Sequence, residues 1–399
     1  MGKSQTLLQG SWSRKNPTDV TQVDKHTNDN NWLSASVVGG EHGVTLTVNL
    51  PAVHTLYYAV MPKLGKIIWG ERKSYIQERL KKVGKTSPIK QVEGGTAVTF
   101  DGLAVSLKEL RPSDAPPPIC DSLEGAVEAV DDIMAKAVKE MMNKNDKHLV
   151  CLSGGTDSLL VAAELKKQNA NGLVALSVGA SEAVFDVAYA KEYAKELGIP
   201  FHFIQIPRND KELKALVMRT IREYEACDLS NTYMGLCNLL IRDWAEENGY
   251  QGIWQGYYAD RLLGYSLTMK SNFLKRVANP NDQEWIDYRW GLYSHVTPND
   301  EQVAKTLRGG ETYWRSPYLH REMREYVTRL ESDIVPYDYS ATKPLFETLA
   351  DQKVSDGSWK HGKKKGYYTG AGVGALAKEF SFMNDAGLKK LHKQIQLLG

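Results

Sequence analysis

The chain reads as an α/β protein, with a doubly wound parallel sheet in its C-terminal part and a smaller α+β domain ahead of it. Three observations predict this. From Leu123 onward, short apolar runs alternate with helical patterns, as expected of a parallel sheet with helices on both faces. At one junction, SGGTDS from Ser153 to Ser158, a buried strand passes almost directly into a helix. Before residue 110, by contrast, short alternating segments are separated by turn residues, which is the pattern of antiparallel strands.

The elements follow in order. The first 30 residues are polar, rich in Asn, Thr, Asp and Lys, and read as loosely ordered. LSASVV, GVTLTVNL, TLYYAVM and KIIWG are strands, followed by a helix near Ser74 to Val83 and a hairpin around Asp101-Gly102. RPSDAPPPICDS, Arg111 to Ser122, is a proline-rich linker without periodicity. It divides the chain into domains over residues 1–114 and 119–399. Leu123 to Asn143 is helical, with Val127, Val130, Ile133, Met134 and Val138 on one side. HLVCL, GLVALSV (172–178), FHFIQI and GIWQ (252–255) are the parallel strands. Between them lie helices through Leu165, over Ser181 to Leu197 with Ser181 as N-cap, over Lys211 to Tyr224 and across 230–248.

In such a sheet, ligands bind beyond the carboxyl ends of the strands, here the loops after Leu152, Val178 and Gln255. SGGTDS has the composition of a pyrophosphate cradle. Gly154 and Gly155 let the backbone approach phosphate and take dihedrals closed to other residues. The Ser153 and Ser158 hydroxyls, free amides and the positive end of the next helix then meet the anion. Asp157 would repel a phosphate directly, so a magnesium ion is expected between them. A second acid, Asp260, follows a second core strand in GYYADRLLGY, Gly256 to Tyr265. It supplies what a two-carboxylate magnesium site needs, although Asp is also a common helix cap.

Composition narrows the class. The 399 residues are 42% hydrophobic and 25% charged, as in a globular domain. A net charge of +2 gives no reason to expect a nucleic-acid partner, and no apolar run approaches the length of a membrane span. Four cysteines (Cys120, Cys151, Cys227, Cys237) have no metal-binding spacing. With no signal peptide ahead of the polar start, the expected setting is cytoplasmic and reducing.

SGGTDS resembles the SGGxDS loop of the N-type ATP pyrophosphatases, which adenylate a carboxylate or carbonyl oxygen and release pyrophosphate. The GYYAD region resembles the GEGSDE element of asparagine synthetases and the GYGAD element of β-lactam and carbapenam synthetases. Gly256 and Asp260 match both, and Tyr257 matches the lactam-forming enzymes, where asparagine synthetases have Glu. Tyr258 stands where both groups have Gly, and Arg261 replaces the last Glu of GEGSDE. KKGYYTGAG, Lys364 to Gly372, resembles the KLGVHEGSG-type segment of lactam synthetases. It implies a catalytic Lys364, with Lys363 and Lys365 as alternatives within the basic run Lys360 to Lys365. A donor placed on the developing oxyanion is worth roughly 10²–10³ in rate.

The same resemblance pairs Tyr257 with a downstream acid in an amine-deprotonating relay. Alignment of SPYLHREM with the HPYWDREV-type segment puts Glu301 there, with Glu284 and Glu311 as alternatives. Leu152, Val178, Gly179, Gln255 and Gly256 match positions that hold adenosine, largely through backbone groups, and Ser177 is a further strand-end candidate. The N-terminal domain resembles a shortened glutaminase (Ntn-hydrolase) domain. The first cysteine of the chain is Cys120, beyond that domain, so glutamine hydrolysis is not expected. The resemblance spans about Leu56 to Ala377 and places the chain in the asparagine synthetase superfamily, nearest the β-lactam synthetase branch. It implies an adenine nucleotide α-hydrolase-like sheet, ATP and Mg2+ as cofactors and a small amino-acid-like carboxylate as substrate, and leaves a homodimer open. Closure to a lactam is the expected outcome. The alternatives are amidation with ammonia or a separate amine and, more remotely, an RNA-modifying use of the same loop.

Overall fold

The computed structural model describes the chain apart from residues 1–7, 18, 24–34, 49–54, 111–114, 226–228, 265–266, 278, 295–306, 308–311, 339–342, 355–369 and 399. Two compact units emerge: Met1–Ser113 with Tyr293–Lys305, and Asp114–Leu292 with Thr306–Gly399.

The first unit holds strands β1 (Gln9–Ser13), β2 (Val20–Val23), β3 (Ala35–Gly40), β4 (Gly43–Val48), β5 (Tyr57–Met61) and β6 (Lys66–Gly70). Helix α1 (Lys73–Lys82), β7 (Lys90–Gln91), β8 (Thr96–Phe100) and β9 (Val105–Glu109) complete it. They form two antiparallel sheets, ordered β1-β6-β5-β7 and β2-β3-β4-β8-β9. The sheets share one core, in which Trp12, Tyr58, Ile67 and Trp69 of the first meet Val37, Leu46, Val98 and Phe100 of the second. Alternation along the strands puts Tyr57, Ala59 and Ile68 on the opposite face, against Ile76 and Leu80 of α1. The N-terminal stretch expected to be loosely ordered contains β1 and β2. Their sequences QGSWS and VTQV are too polar to alternate visibly, and both are held by long-range pairing, β1 to β6 and β2 to β3.

The second unit runs α2 (Leu123–Met141), β10 (His148–Cys151), α3 (Thr156–Lys167), β11 (Val174–Gly179), α4 (Phe185–Glu196), β12 (Phe201–Gln205), α5 (Asp210–Tyr224), α6 (Leu229–Asn248) and β13 (Gly252–Trp254). It continues with α7 (Ala259–Leu262), α8 (Leu267–Arg276), α9 (Asp282–Ser294), β14 (Tyr313–Arg315), α10 (Arg321–Val327), α11 (Pro344–Lys353), α12 (Val373–Glu379) and α13 (Asp385–Leu398). Helix starts are set locally. The Ser122 and Asn209 side chains accept the Gly125 and Glu212 amides and so cap α2 and α5. Ser181 caps nothing: α4 begins at Phe185 behind Val184, without a side-chain cap.

All strand pairs of the sheet are parallel, in the order β12-β11-β10-β13-β14. The four expected strands are present, and a fifth, β14, adds an edge. The order reverses between β10 and β13, which makes their carboxyl ends the topological switch point of the sheet. His148 fixes that pairing. Its Nε2–H donates to the Asn143 carbonyl (2.9 Å) and its Nδ1 accepts the Trp254 indole N–H (3.1 Å). A Cβ at Gly252 would lie 2.2 Å from that Nδ1, so only glycine fits opposite it. No helix among the described residues is long and apolar enough to cross a membrane.

Candidate functional site

The loop after β10 and the turn after β13 lie side by side at the switch point. Their contact explains Gly256: a Cβ there would stand 2.6 Å from both the Asp157 carbonyl carbon and the Ser158 amide nitrogen. The glycines of the hexamer act differently from expectation. Neither Gly154 nor Gly155 has positive φ, and Gly155 is extended at φ −101°, ψ 143°. Gly154 is required by close packing, since a Cβ would lie 2.9 Å from the Phe185 ring. The hydroxyls brace the loop. Ser158 Oγ donates to the Gly155 carbonyl (3.0 Å) and accepts the Ser153 amide (3.1 Å), while Ser153 Oγ accepts the Gly155 amide (3.3 Å). Helix α3 starts with no side-chain cap, so its first amides and positive dipole end are directed at the space above the loop.

Both expected metal acids face one cation, and it belongs to the protein. Lys343 Nζ lies 2.7 and 2.8 Å from the two Asp157 carboxylate oxygens and 2.6 Å from Asp260 Oδ1. Lys343 is the N-cap of α11, and its own amide donates to Glu347 Oε1 (3.1 Å). Tyr318 donates its hydroxyl to the Asp157 carbonyl (2.9 Å). Burial first, then the Asp157 and Asp260 charges, push the Tyr318 phenol well above its usual range, so it remains a neutral donor. Two hard carboxylates converging on one cationic point suit magnesium, which keeps waters and takes phosphate oxygens as further ligands. No group of three or more His, Cys, Asp or Glu that could hold a metal is found among the described residues, so any ion here depends on oxygens from elsewhere.

Along the same edge, Leu152 donates its amide to the Leu176 carbonyl (3.0 Å), and the Ser177 hydroxyl donates to the Leu152 carbonyl. Ser177 thus serves the sheet. Val178 is buried, and a Cβ at Gly179 would press on Val184 and Val187 at 2.8 Å. Gln255 turns its side chain inward, donating to Asn238 Oδ1 (3.2 Å) and accepting the Trp314 indole N–H (3.1 Å). Beyond these strand ends, the Ala180 amide donates to the Ala371 carbonyl (2.9 Å), fastening the start of α12 beside β11.

Tyr257 follows Gly256. Its carbonyl accepts the Ser316 hydroxyl (2.6 Å), and its ring lies edge-on to Tyr258 and Trp314, at 5.8 and 6.1 Å. Tyr258 takes the left-handed conformation at φ 81°, ψ −17°, which costs a non-glycine residue about 1–2 kcal/mol. Its buried ring packs under the Arg261 guanidinium at 5.2 Å, and Arg261 Nη1 reaches the Leu292 carbonyl (3.4 Å). Glu301 and Lys364 lie outside the described residues, as do Glu311, Lys363 and Lys365. Glu284, the remaining alternative acid, is engaged in a reciprocal cap with Asn281 at the start of α9 (3.0 and 2.9 Å).

The structure therefore brings together the Ser153–Ser158 loop, Gly256, Tyr257 and Asp260. It adds Lys343 and Tyr318, which sequence reasoning missed. Lys343 precedes Pro344 at a helix start and looks in the sequence like any helix-flanking lysine. Tyr318 sits within the SPYLHREM segment used only for alignment.

The chain is similar to several known proteins. The family model for asparagine synthase matches residues 129–334, just over half of the chain. A Methanocaldococcus jannaschii protein described as a glutamine-hydrolyzing asparagine synthetase is 24% identical over 234 residues, covering 59% of this chain and 41% of that protein. A tRNA-cytidine(32) 2-sulfurtransferase of Bdellovibrio bacteriovorus is 26% identical over 136 residues, covering 32% of this chain and 48% of its own. Among solved structures, the NH3-dependent NAD synthetase of Campylobacter jejuni superposes with a TM-score of 0.32 at 14% identity, covering 69% of this chain and 94% of that one. The chain spans less than half the length of these two curated relatives. On the match that runs from α2 through α10, the chain belongs to the asparagine synthase family.

Proposed function

We propose that the chain is an ATP- and magnesium-dependent carbon–nitrogen ligase that adenylates a carboxylate and then joins it to an amine. The observation that carries this reading is the convergence of Asp157 and Asp260 on one cation above the uncapped start of α3, at the switch point. Asp157 and Asp260 would hold the ion, which supplies charge neutralisation for the triphosphate. Leu152, Val178, Gly179, Gln255 and Gly256 line the strand ends that would receive the adenosine, and the turned-in Gln255 side chain leaves backbone groups to read it.

In the first step a substrate carboxylate oxygen attacks the α-phosphorus and pyrophosphate leaves, giving an acyl-adenylate. In the second step an amine attacks the acyl carbon, the C–O bond to AMP breaks, and the amine loses a proton. Tyr257 with Glu301 would relay that proton, and Lys364 would neutralise charge on the oxyanion. An amine in the same molecule removes most of the entropic cost of meeting the acyl carbon; this favours a lactam, in keeping with Tyr257. The two-sheet N-terminal unit is then read as glutaminase-like but without hydrolytic activity, and the nitrogen is free ammonia or a substrate amine.

Incubation with ATP, magnesium and amino-acid-like carboxylates should release AMP and pyrophosphate. Loss of one water from a single substrate supports lactam formation, and dependence on added ammonia points to the asparagine synthetase-like alternative. Tyr257→Phe should abolish amide formation while carboxylate-dependent ATP–pyrophosphate exchange survives; loss of both removes Tyr257 from the second step. The local similarity to a tRNA sulfurtransferase motivates a second reading, adenylation of an RNA base. ATP–pyrophosphate exchange dependent on tRNA, and not on any carboxylate, would favour it.

A further inference from the structure

Lys343 is held in place too firmly to be a casual occupant of the acid pair. Its amide is tied to Glu347, and the far end of the same helix is anchored as well. Lys353, at the C-terminus of α11, donates to Glu164 Oε2 (3.2 Å) and forms an ion pair with Asp131 Oδ1 (2.5 Å). Glu164 is fully buried on α3, and its other oxygen accepts the Gln168 amide (2.8 Å). Helix α3 thus offers Asp157 and Glu164, two turns apart on one face, and α11 answers with Lys343 and Lys353. Two charged rungs fix the register of the helices, so the ammonium is delivered to Asp157 and Asp260 by the fold.

Charge then decides what else can enter. Two carboxylates and one ammonium carry a net charge of −1. A bare divalent cation would have to share the same oxygens with Lys343, at close range beside a buried ammonium and the buried Asp157, where like charges repel. A nucleoside triphosphate brings enough negative charge for both cations, and its oxygens supply the ligands that two carboxylates cannot. We infer that Lys343 is a built-in counter-cation that reserves the Asp157–Asp260 pair, so that divalent metal enters with the polyphosphate and not ahead of it. This rests on the ligase reading above, and the test separates the two.

The probe is Mn2+, followed by electron paramagnetic resonance and calorimetry on the full chain, with and without α,β-methylene-ATP, which cannot be adenylated through. The native chain should take up no Mn2+ alone up to about 1 mM, yet bind it with the nucleotide. Lys343→Gln should bind Mn2+ without nucleotide at least about tenfold more tightly than the native chain, and adding Asp260→Asn should remove that binding. Native chain that binds Mn2+ alone as tightly as Lys343→Gln would overturn the inference and leave the ligase reading intact. Absence of Mn2+ binding even with the nucleotide would overturn both. If Lys343→Gln does not fold, Lys343→Arg keeps a cation and should exclude Mn2+ as the native chain does; nucleotide-free binding to Lys343→Arg or to the native chain would again refute the idea.

Discussion

At Gly256 a single methyl group is enough to part the two strand ends. It would stand 2.6 Å from backbone atoms of the Ser153–Ser158 loop, and backbone cannot swing aside as a side chain can. Gly256→Ala should therefore cost about 1–3 kcal/mol of stability, read by denaturant melts, and raise the KM for ATP more than it lowers kcat in pyrophosphate exchange. The same residue shows how far the sequence could be read. Gly256, Asp157 and Asp260 were legible because strand-end position and residue type say the same thing. Lys343 was not, because its meaning comes from two acids distant in the sequence. The conformation of Gly154 was misjudged for a related reason: the Phe185 ring that requires its glycine belongs to another helix.

Between elements, the β10–β13 pairing carries a titratable group. Burial lowers the His148 pKa below its usual value of 6.5, and the Trp254 N–H already occupies the nitrogen that a second proton would need. The unfolded chain therefore binds the proton more readily than the folded one. The stabilising contribution is complete above about pH 6.5 and is lost as the pH falls below it. Melting temperature should drop on going from about pH 7.5 to about 5.5, and His148→Gln should flatten that dependence; an unchanged slope would remove His148 as its source.

The α3–α11 rungs make a second prediction at this scale. Glu164→Gln leaves the Lys353 ammonium with Asp131 as its remaining carboxylate and should cost about 1–3 kcal/mol. The double variant Glu164→Gln/Lys353→Met should regain part of that loss, as a thermodynamic cycle would measure. Elements were legible where they were long and periodic, as α2 and α5 were. Strand β14, only Tyr313–Arg315, is too short to show a period, and β1 and β2 are specified by their partners across the sheets rather than by their own residues.

In the whole molecule, the described parts of the proposed site are gathered from α3, β11, β13, α7 and α11, all within the second unit. A nucleotide that bridges them should act on that unit's global stability. Magnesium with α,β-methylene-ATP at about 100 times its Kd should add about 2.7 kcal/mol, and hydrogen exchange should slow at the carboxyl ends of β10 and β13. Protection confined to one strand end would argue against a bridging ligand.

The Lys343–Asp157 pair spans 186 residues of sequence, and this bears on how the protein is made. Synthesis runs from the N-terminus, so the Ser153–Ser158 loop emerges first, Asp260 later, and the lysine that reconciles them later still. Until then the two carboxylates lack the cation that joins them in the folded chain, and closing so long a loop carries an entropic cost that grows with its length. The switch point is thus expected to settle only after Lys343 has emerged, and a chain released earlier would carry the hexamer without its ion-pair partner. Ribosome-bound chains halted before and after Lys343 should differ in protease resistance at the loop, although the loop's own residues are present in both.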